Sequence, residues 1–145
     1  MASIDIPVAL RERVLPVALW CATIALGLLT REVLTGAPAK YLGVALWATS
    51  VYFLLLTMAP RMRSATALAL CLFISWSVEF AQLTDIPRYL SSLHPLLRLI
   101  FGEVFHAPDL LALTLGALAA WAIWLLLRRI QPRTMNESPR LERSS

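Results

Sequence analysis

Four stretches of the chain are almost free of charge: Val14–Thr30, Tyr41–Met58, Ala65–Leu83 and Ala107–Leu127. Each approaches the ~20 residues that carry a helix across an ~30 Å hydrocarbon layer. The pattern predicts an all-α integral membrane protein with four transmembrane helices. The first stretch is the shortest, so tilt, or Arg31 extending its long stem to the interface, must complete its crossing. Gly36-Ala37-Pro38-Ala39 and Ala59-Pro60-Arg61-Met62-Arg63 interrupt the apolar pattern as short helix connections do. The longest connection, Thr84–His106, places Ile86, Leu90, Leu93, Leu97 and Ile100 at alternating spacings of four and three, which makes one apolar helical stripe. Asp85 suits the cap of such a helix and Pro87 its first turn, while Pro95 must bend or break it. The connection therefore reads as a short, semi-buried helical hairpin between the third and fourth spans, not as a fifth span.

Composition agrees. Of 145 residues 59% are hydrophobic and only 15% charged, with a mean hydropathy of +0.70; a soluble domain runs near ~45–50% and ~25%. A water-soluble globule, a collagen-like chain and global disorder are excluded, and the length suits one domain. In a soluble protein the formal charge of +4 would raise nucleic acid as a partner. Here the basic residues instead serve to orient the chain, with the lipid bilayer as the partner and no nucleic acid. With the N-terminus inside, Arg11, Arg13, Arg61, Arg63, Arg128, Arg129, Arg133, Arg140 and Arg143 face the cytoplasm, against Arg31, Lys40, Arg88 and Arg98 outside. That imbalance favours both termini inside. The chain then divides into a cytoplasmic N-terminus (1–13), a four-span membrane domain (14–127) with the hairpin (84–106) outside, and a disordered basic tail (128–145). On this topology the sequon Asn136-Glu137-Ser138 stays unused. A signal peptide fits poorly, because the first apolar run is long for one and Arg31 and Glu32 interrupt the approach to Ala37-Pro38-Ala39.

Glu79 lies inside the third span, where a carboxylate costs up to a few kcal/mol and usually faces a partner or a wet cavity. Gln82 follows on the same helical face, and Ser75 extends that face one turn deeper. Asp109 opens the fourth span after Pro108, where an acid complements the helix N-terminus. On the topology above Glu79, Gln82 and Asp109 share a depth, and Arg31 at the end of the first span can join them. Arg31, Glu79, Gln82 and Asp109 are thus the candidate ligand-binding or polar cluster, against the plainer reading of a hydrogen-bonded seam that fixes the bundle. His94 and His106 raise zinc, but no ligand set with metal-site spacing exists, so no metal and no cofactor is expected. No nucleophile elbow or phosphate loop occurs, and no catalytic residue is assigned. Cys21 and Cys71, both in apolar runs, read as packing thiols, and the five tryptophans as belt or packing residues.

Beyond these readings, Val78-Glu79-Phe80-Ala81-Gln82-Leu83, then Pro87, Gly102, Phe105, Asp109-Leu110 and Gly116, resembles a bacterial membrane family labelled domain of unknown function 2809. Gly27-Leu28-Leu29-Thr30-Arg31 and Tyr41-Leu42-Gly43-Val44-Ala45-Leu46-Trp47 resemble its first-helix and second-helix signatures, so the resemblance runs from about Gly27 to Trp121. Two departures stand out: Val44 takes a position where the family usually has an acid, and Ser91-Ser92-Leu93-His94-Pro95 replaces an arginine, a threonine and a glycine. Glu79/Gln82 and Asp109/Gly116 are also faintly similar to VanZ-like proteins. The resemblance implies a multi-pass protein of the bacterial inner (cytoplasmic) membrane and brings no activity with it. Three functions stay open. One is a non-enzymatic cell-envelope or accessory protein, binding a lipid or cell-wall head group, a second copy of itself or another membrane protein. The others are a small proton-coupled carrier in which Glu79 titrates, and an enzyme on a membrane-embedded substrate with Glu79 or Asp109 as base.

Overall fold

The computed structural model describes residues 8–94, 96 and 105–130. It holds four long helices, α1 (Val8–Val33), α2 (Gly36–Met58), α3 (Ser64–Ala81) and α5 (Ala107–Ile130), with the short α4 (Ile86–Leu93) between α3 and α5. Each of the four is long and apolar enough to cross a membrane, and the described residues form no strand. The chain is an all-helical, multi-pass membrane protein.

Two helix starts differ from the apolar runs. α1 begins at Val8, not Val14, because Arg11, Glu12 and Arg13 are good helix formers that continue the helix past the apolar stretch. α2 begins at Gly36, whose φ of 72° makes the left-handed turn out of α1 that any side chain would strain. Lys40 is thereby drawn into the first turns of α2. In the connection after α3, α4 carries a proline in its first turn and has Asp85 at its cap position without a side-chain cap bond. The bend at Pro95, the second half of the apolar stripe at Leu97 and Ile100, and the tail 131–145 with its sequon lie outside the described residues.

Contacts alternate the helix directions. Gly27 of α1 lies against Leu46 of α2, and Glu12 reaches Arg61 beyond the end of α2. The Cys71 thiol of α3 donates to the Ala48 carbonyl of α2 at 3.2 Å. Trp76 Nε1 of α3 donates to Thr114 of α5 at 3.2 Å. α2 is the central element, packed on α1, α3 and α5, whereas α1 rests chiefly on α2. The side chains facing lipid are apolar, among them Val14, Leu28 and Leu29 on α1, Phe73 on α3 and Leu111 and Leu115 on α5.

In lipid the outside of a helix is as apolar as its packed face, so helices associate through close fit and hydrogen bonds. The α2–α5 contact uses both. Ala48 of α2 and Ala112, Ala117 and Ala120 of α5 are buried small residues, and a Cβ built on Gly116 would lie 2.8 Å from Ala45 Cα and closer still to its carbonyl oxygen. The two backbones touch at this point, which leaves room for glycine alone. Thr49 Oγ1 sits 3.0 Å from both the Ala45 carbonyl of its own helix and the Gly116 carbonyl of α5, and its hydroxyl bonds across the contact. Large residues close the core below: Tyr52, Phe53 and Leu56 of α2 and Trp124 of α5.

Gly116→Ala should therefore destabilise the detergent-solubilised protein by roughly 1–3 kcal/mol, the cost of overpacking. Gly43→Ala, whose added Cβ meets nothing within 4 Å, should leave stability unchanged or raise it by up to about 1 kcal/mol. Equal unfolding midpoints for the two variants would contradict the backbone contact.

Candidate functional site

The buried positions of α3 are Ala67, Cys71, Ser75 and Glu79, one every fourth residue. Side chains four apart stack on one helical face, so a single stripe turned to the bundle interior ends in a carboxylate. Three small groups come first, which lets α3 lie close to its neighbours, and the Cys71 thiol and Ser75 hydroxyl sit 4.0 Å apart within the stripe. Glu79 is only 5% exposed. Its Oε1 accepts the backbone N–H of His106 at 2.9 Å, directly before α5 begins. A carboxylate at a helix N-terminus satisfies an amide that the helix leaves unpaired and meets the positive end of its dipole. Glu79 thus acts as a cap supplied to α5 by a neighbouring helix.

Asp109, in the first turn of α5, is equally buried at 5% exposure. Its Oδ1 faces Lys40 Nζ of α2 at 3.1 Å. The Asp109 side chain is 7% exposed and that of Lys40 38%, so a buried acid meets a lysine whose stem is half covered. This pair and the Glu79 bond join three helices at one end of the bundle, and Glu79 lies within electrostatic range of Asp109, Lys40 and His106. On the outward face of α3 beside this end, Phe80 meets Trp76 edge-on at 6.5 Å and stacks on Phe105 at 6.2 Å.

Gln82 caps the C-terminus of α3 through its backbone N–H, which bonds the carbonyls of Glu79 and Phe80, and its Oε1 is buried beside this end. Arg31 lies in the last turn of α1, where it is exposed, and among the described residues it makes no ion pair with Glu79 or Asp109. Lys40 pairs with the acid instead. The sequence pattern missed Lys40 because it stands just before the second apolar run, where a basic residue reads as an interfacial anchor. The signal that could have found it is the glycine-led start at Gly36, which brings Lys40 inside the helix. His94 and His106 are exposed, and among the described residues no three His, Cys, Asp or Glu side chains are grouped to hold a metal.

Chemically the cluster sets two carboxylates against one lysine, one formal negative charge in excess with all three ionised. The N-terminus of α5 offsets part of that charge.

A family model described as a protein of unknown function (DUF2809) matches residues 33–117, more than half of the chain, and the chain belongs to that family. The matched segment holds α2, α3, α4 and the first half of α5, with Lys40, Glu79, Gln82, Asp109 and Gly116; it leaves out Arg31 and nearly all of α1. No curated protein and no solved structure matches the chain.

Removing the lysine from an ion pair whose acid is buried leaves the Asp109 charge uncompensated. Lys40→Met should cost about 1–3 kcal/mol, below the range for a fully buried pair because the lysine reaches water. Adding Asp109→Asn to Lys40→Met should recover most of that loss. Additive losses in detergent unfolding would show that the two side chains do not interact.

Proposed function

We propose that this member of the family is a non-enzymatic accessory protein of the bacterial cell envelope, and that the Glu79, Gln82, Asp109 and Lys40 end of its bundle receives the polar head group of a membrane lipid or lipid-linked cell-wall precursor. The observation that carries the reading is the burial of two carboxylates at one end of an otherwise apolar bundle. Ionisable groups at membrane depth are expensive, and the close approach at Gly116 with the Thr49 hydroxyl bridge already joins α2 to α5 without them. A cluster carrying a net formal negative charge best suits a head group with an ammonium or several hydroxyl donors. The outward-facing rings of Trp76 and Phe80, with Phe105 stacked on Phe80, suit the boundary where head groups meet acyl chains. In the topology that fits this reading both termini are cytoplasmic and the cluster lies toward the outer leaflet. A reporter fused after Ser145 that scores outside would contradict that orientation.

The same buried acids favour one second reading, a proton-coupled carrier in which Glu79 takes up and releases a proton. The two separate in one experiment. Full-length protein and Glu79→Gln, an amide that keeps the size and can still accept the His106 N–H, are purified under mild conditions and their bound lipids are measured by mass spectrometry. The head-group reading predicts a lipid selectively enriched on the wild type and depleted roughly tenfold on the variant at unchanged fold, about 1.4 kcal/mol of lost binding. Identical lipid content in both proteins would overturn it, and pH-dependent flux abolished by Glu79→Gln would favour the carrier.

A further inference from the structure

The opposite end of the bundle holds a second polar feature, unrelated to the first. Where α2 ends, α3 begins and α5 ends, a half-open cleft of about 440 Å³ is lined by Glu12, Arg61, Met62, Arg63, Trp124 and Arg128, among others. Three guanidinium groups thus border one cavity, against a single carboxylate. Glu12 answers Arg61 only loosely, at 3.8 Å, with the Arg61 side chain 87% exposed. Arg128 lies 4.8 Å above the ring of Trp124, which holds its guanidinium over an apolar wall. Trp124 is 5% exposed and belongs to the core, so that wall is fixed by the fold. Ser64, the first residue of α3, also lines the cleft, and this helix has neither an acid in its first turn nor a side-chain cap.

Part of this arrangement serves the helices themselves, since Arg128 lies in the last turn of α5, where a cation complements the dipole. Arg61 and Arg63 stand in the connection before α3 and have no such role. A loose surface pair like Glu12–Arg61 contributes little and readily exchanges for a better acceptor. Guanidinium groups match phosphate oxygens with paired donors, and they bound a cavity with an apolar floor of Met62, Trp124 and Leu125 at the end of three membrane-spanning helices. A ligand there needs a phosphate beside acyl chains. Basic pockets between membrane helices take up anionic lipid head groups in this way.

We propose that this cleft is a binding site for the phosphodiester head group of an anionic phospholipid, held by Arg61, Arg63 and Arg128 with its acyl chains along Trp124. Such a lipid would brace the start of α3 against the end of α5.

Full-length protein in neutral detergent is titrated with dioleoylphosphatidylglycerol or dioleoylphosphatidylcholine, and bound lipid is counted by native mass spectrometry. The wild type should retain phosphatidylglycerol in preference, and equimolar inorganic phosphate should not displace it. The triple variant Arg61→Gln, Arg63→Gln, Arg128→Gln should bind phosphatidylglycerol roughly tenfold or more weakly. A triple variant with the same charge loss elsewhere, Arg13→Gln, Arg31→Gln, Arg129→Gln, should lose less than about threefold. If the cleft triple fails to fold, Arg128→Gln alone should give a smaller loss in the same direction. Equal affinity for the two lipids, displacement by phosphate, equal losses in the two triples, or full binding by a folded cleft variant would each overturn the proposal. The same titrations in the Glu79→Gln background remove lipid held at the other end from the count, so this site and the head-group site succeed or fail separately.

Discussion

The backbone contact between α2 and α5 at Ala45 and Gly116 is the constraint on which the polar end of the bundle rests. Helices in lipid gain nothing by hiding apolar surface from each other, so association must come from fit and hydrogen bonding. Glycine at 116 lets the backbones meet, and the Thr49 hydroxyl then bridges to the Gly116 carbonyl. The two helices run in the same direction, which fixes what lies above the contact. Lys40 stands five residues before Ala45 and Asp109 seven before Gly116; at ~1.5 Å per residue these are about 7.5 and 10.5 Å along the axes. The lysine stem spans the difference, and the ion pair at 3.1 Å is a consequence of the register set below it.

α3 joins the pair by a different device. Its buried stripe of Ala67, Cys71, Ser75 and Glu79 stays small until the last turn, so the helix approaches closely and delivers its carboxylate to the start of α5. The Cys71 thiol to the Ala48 carbonyl and the Trp76 indole to Thr114 hold α3 to α2 and α5 along the way. One acid therefore caps a helix, the other neutralises a lysine, and the three central helices meet at charges no single helix could bury alone. α1 takes no part in this. It rests chiefly on α2, faces outward with apolar side chains and lies almost wholly outside the segment matched by the family.

Much of this was legible in the sequence. Four charge-poor runs announced four membrane helices, because the bilayer demands length and apolarity whatever the tertiary packing. Glu79 and Asp109 were conspicuous for the same reason, as acids where insertion tolerates few. Gly116 could be matched to a motif, but its role needed the partner helix, since a glycine that admits a backbone looks like any other glycine. Lys40 and Arg31 show where pattern reading stops. Both are basic residues beside an apolar run, and only the positive-φ turn at Gly36 decides that Lys40 enters a helix facing Asp109 while Arg31 stays exposed at the end of α1. The arginines at the other end were read solely as an orientation signal. That three of them border one cleft follows from the return of α5 beside the connection between α2 and α3.

The chain contains a single lysine, which makes one direct measurement available. Protein labelled with ¹⁵N at lysine Nζ and ¹³C at aspartate Cγ, reconstituted in lipid bilayers, reports through solid-state dipolar recoupling whether Lys40 touches an aspartate. Strong dephasing is expected in the wild type, vanishing in Asp109→Asn and collapsing in Gly116→Leu, where the helices are forced apart. Absent dephasing in the wild type, or dephasing that persists unchanged in Gly116→Leu, would contradict the claim that the α2–α5 backbone contact sets the buried ion pair.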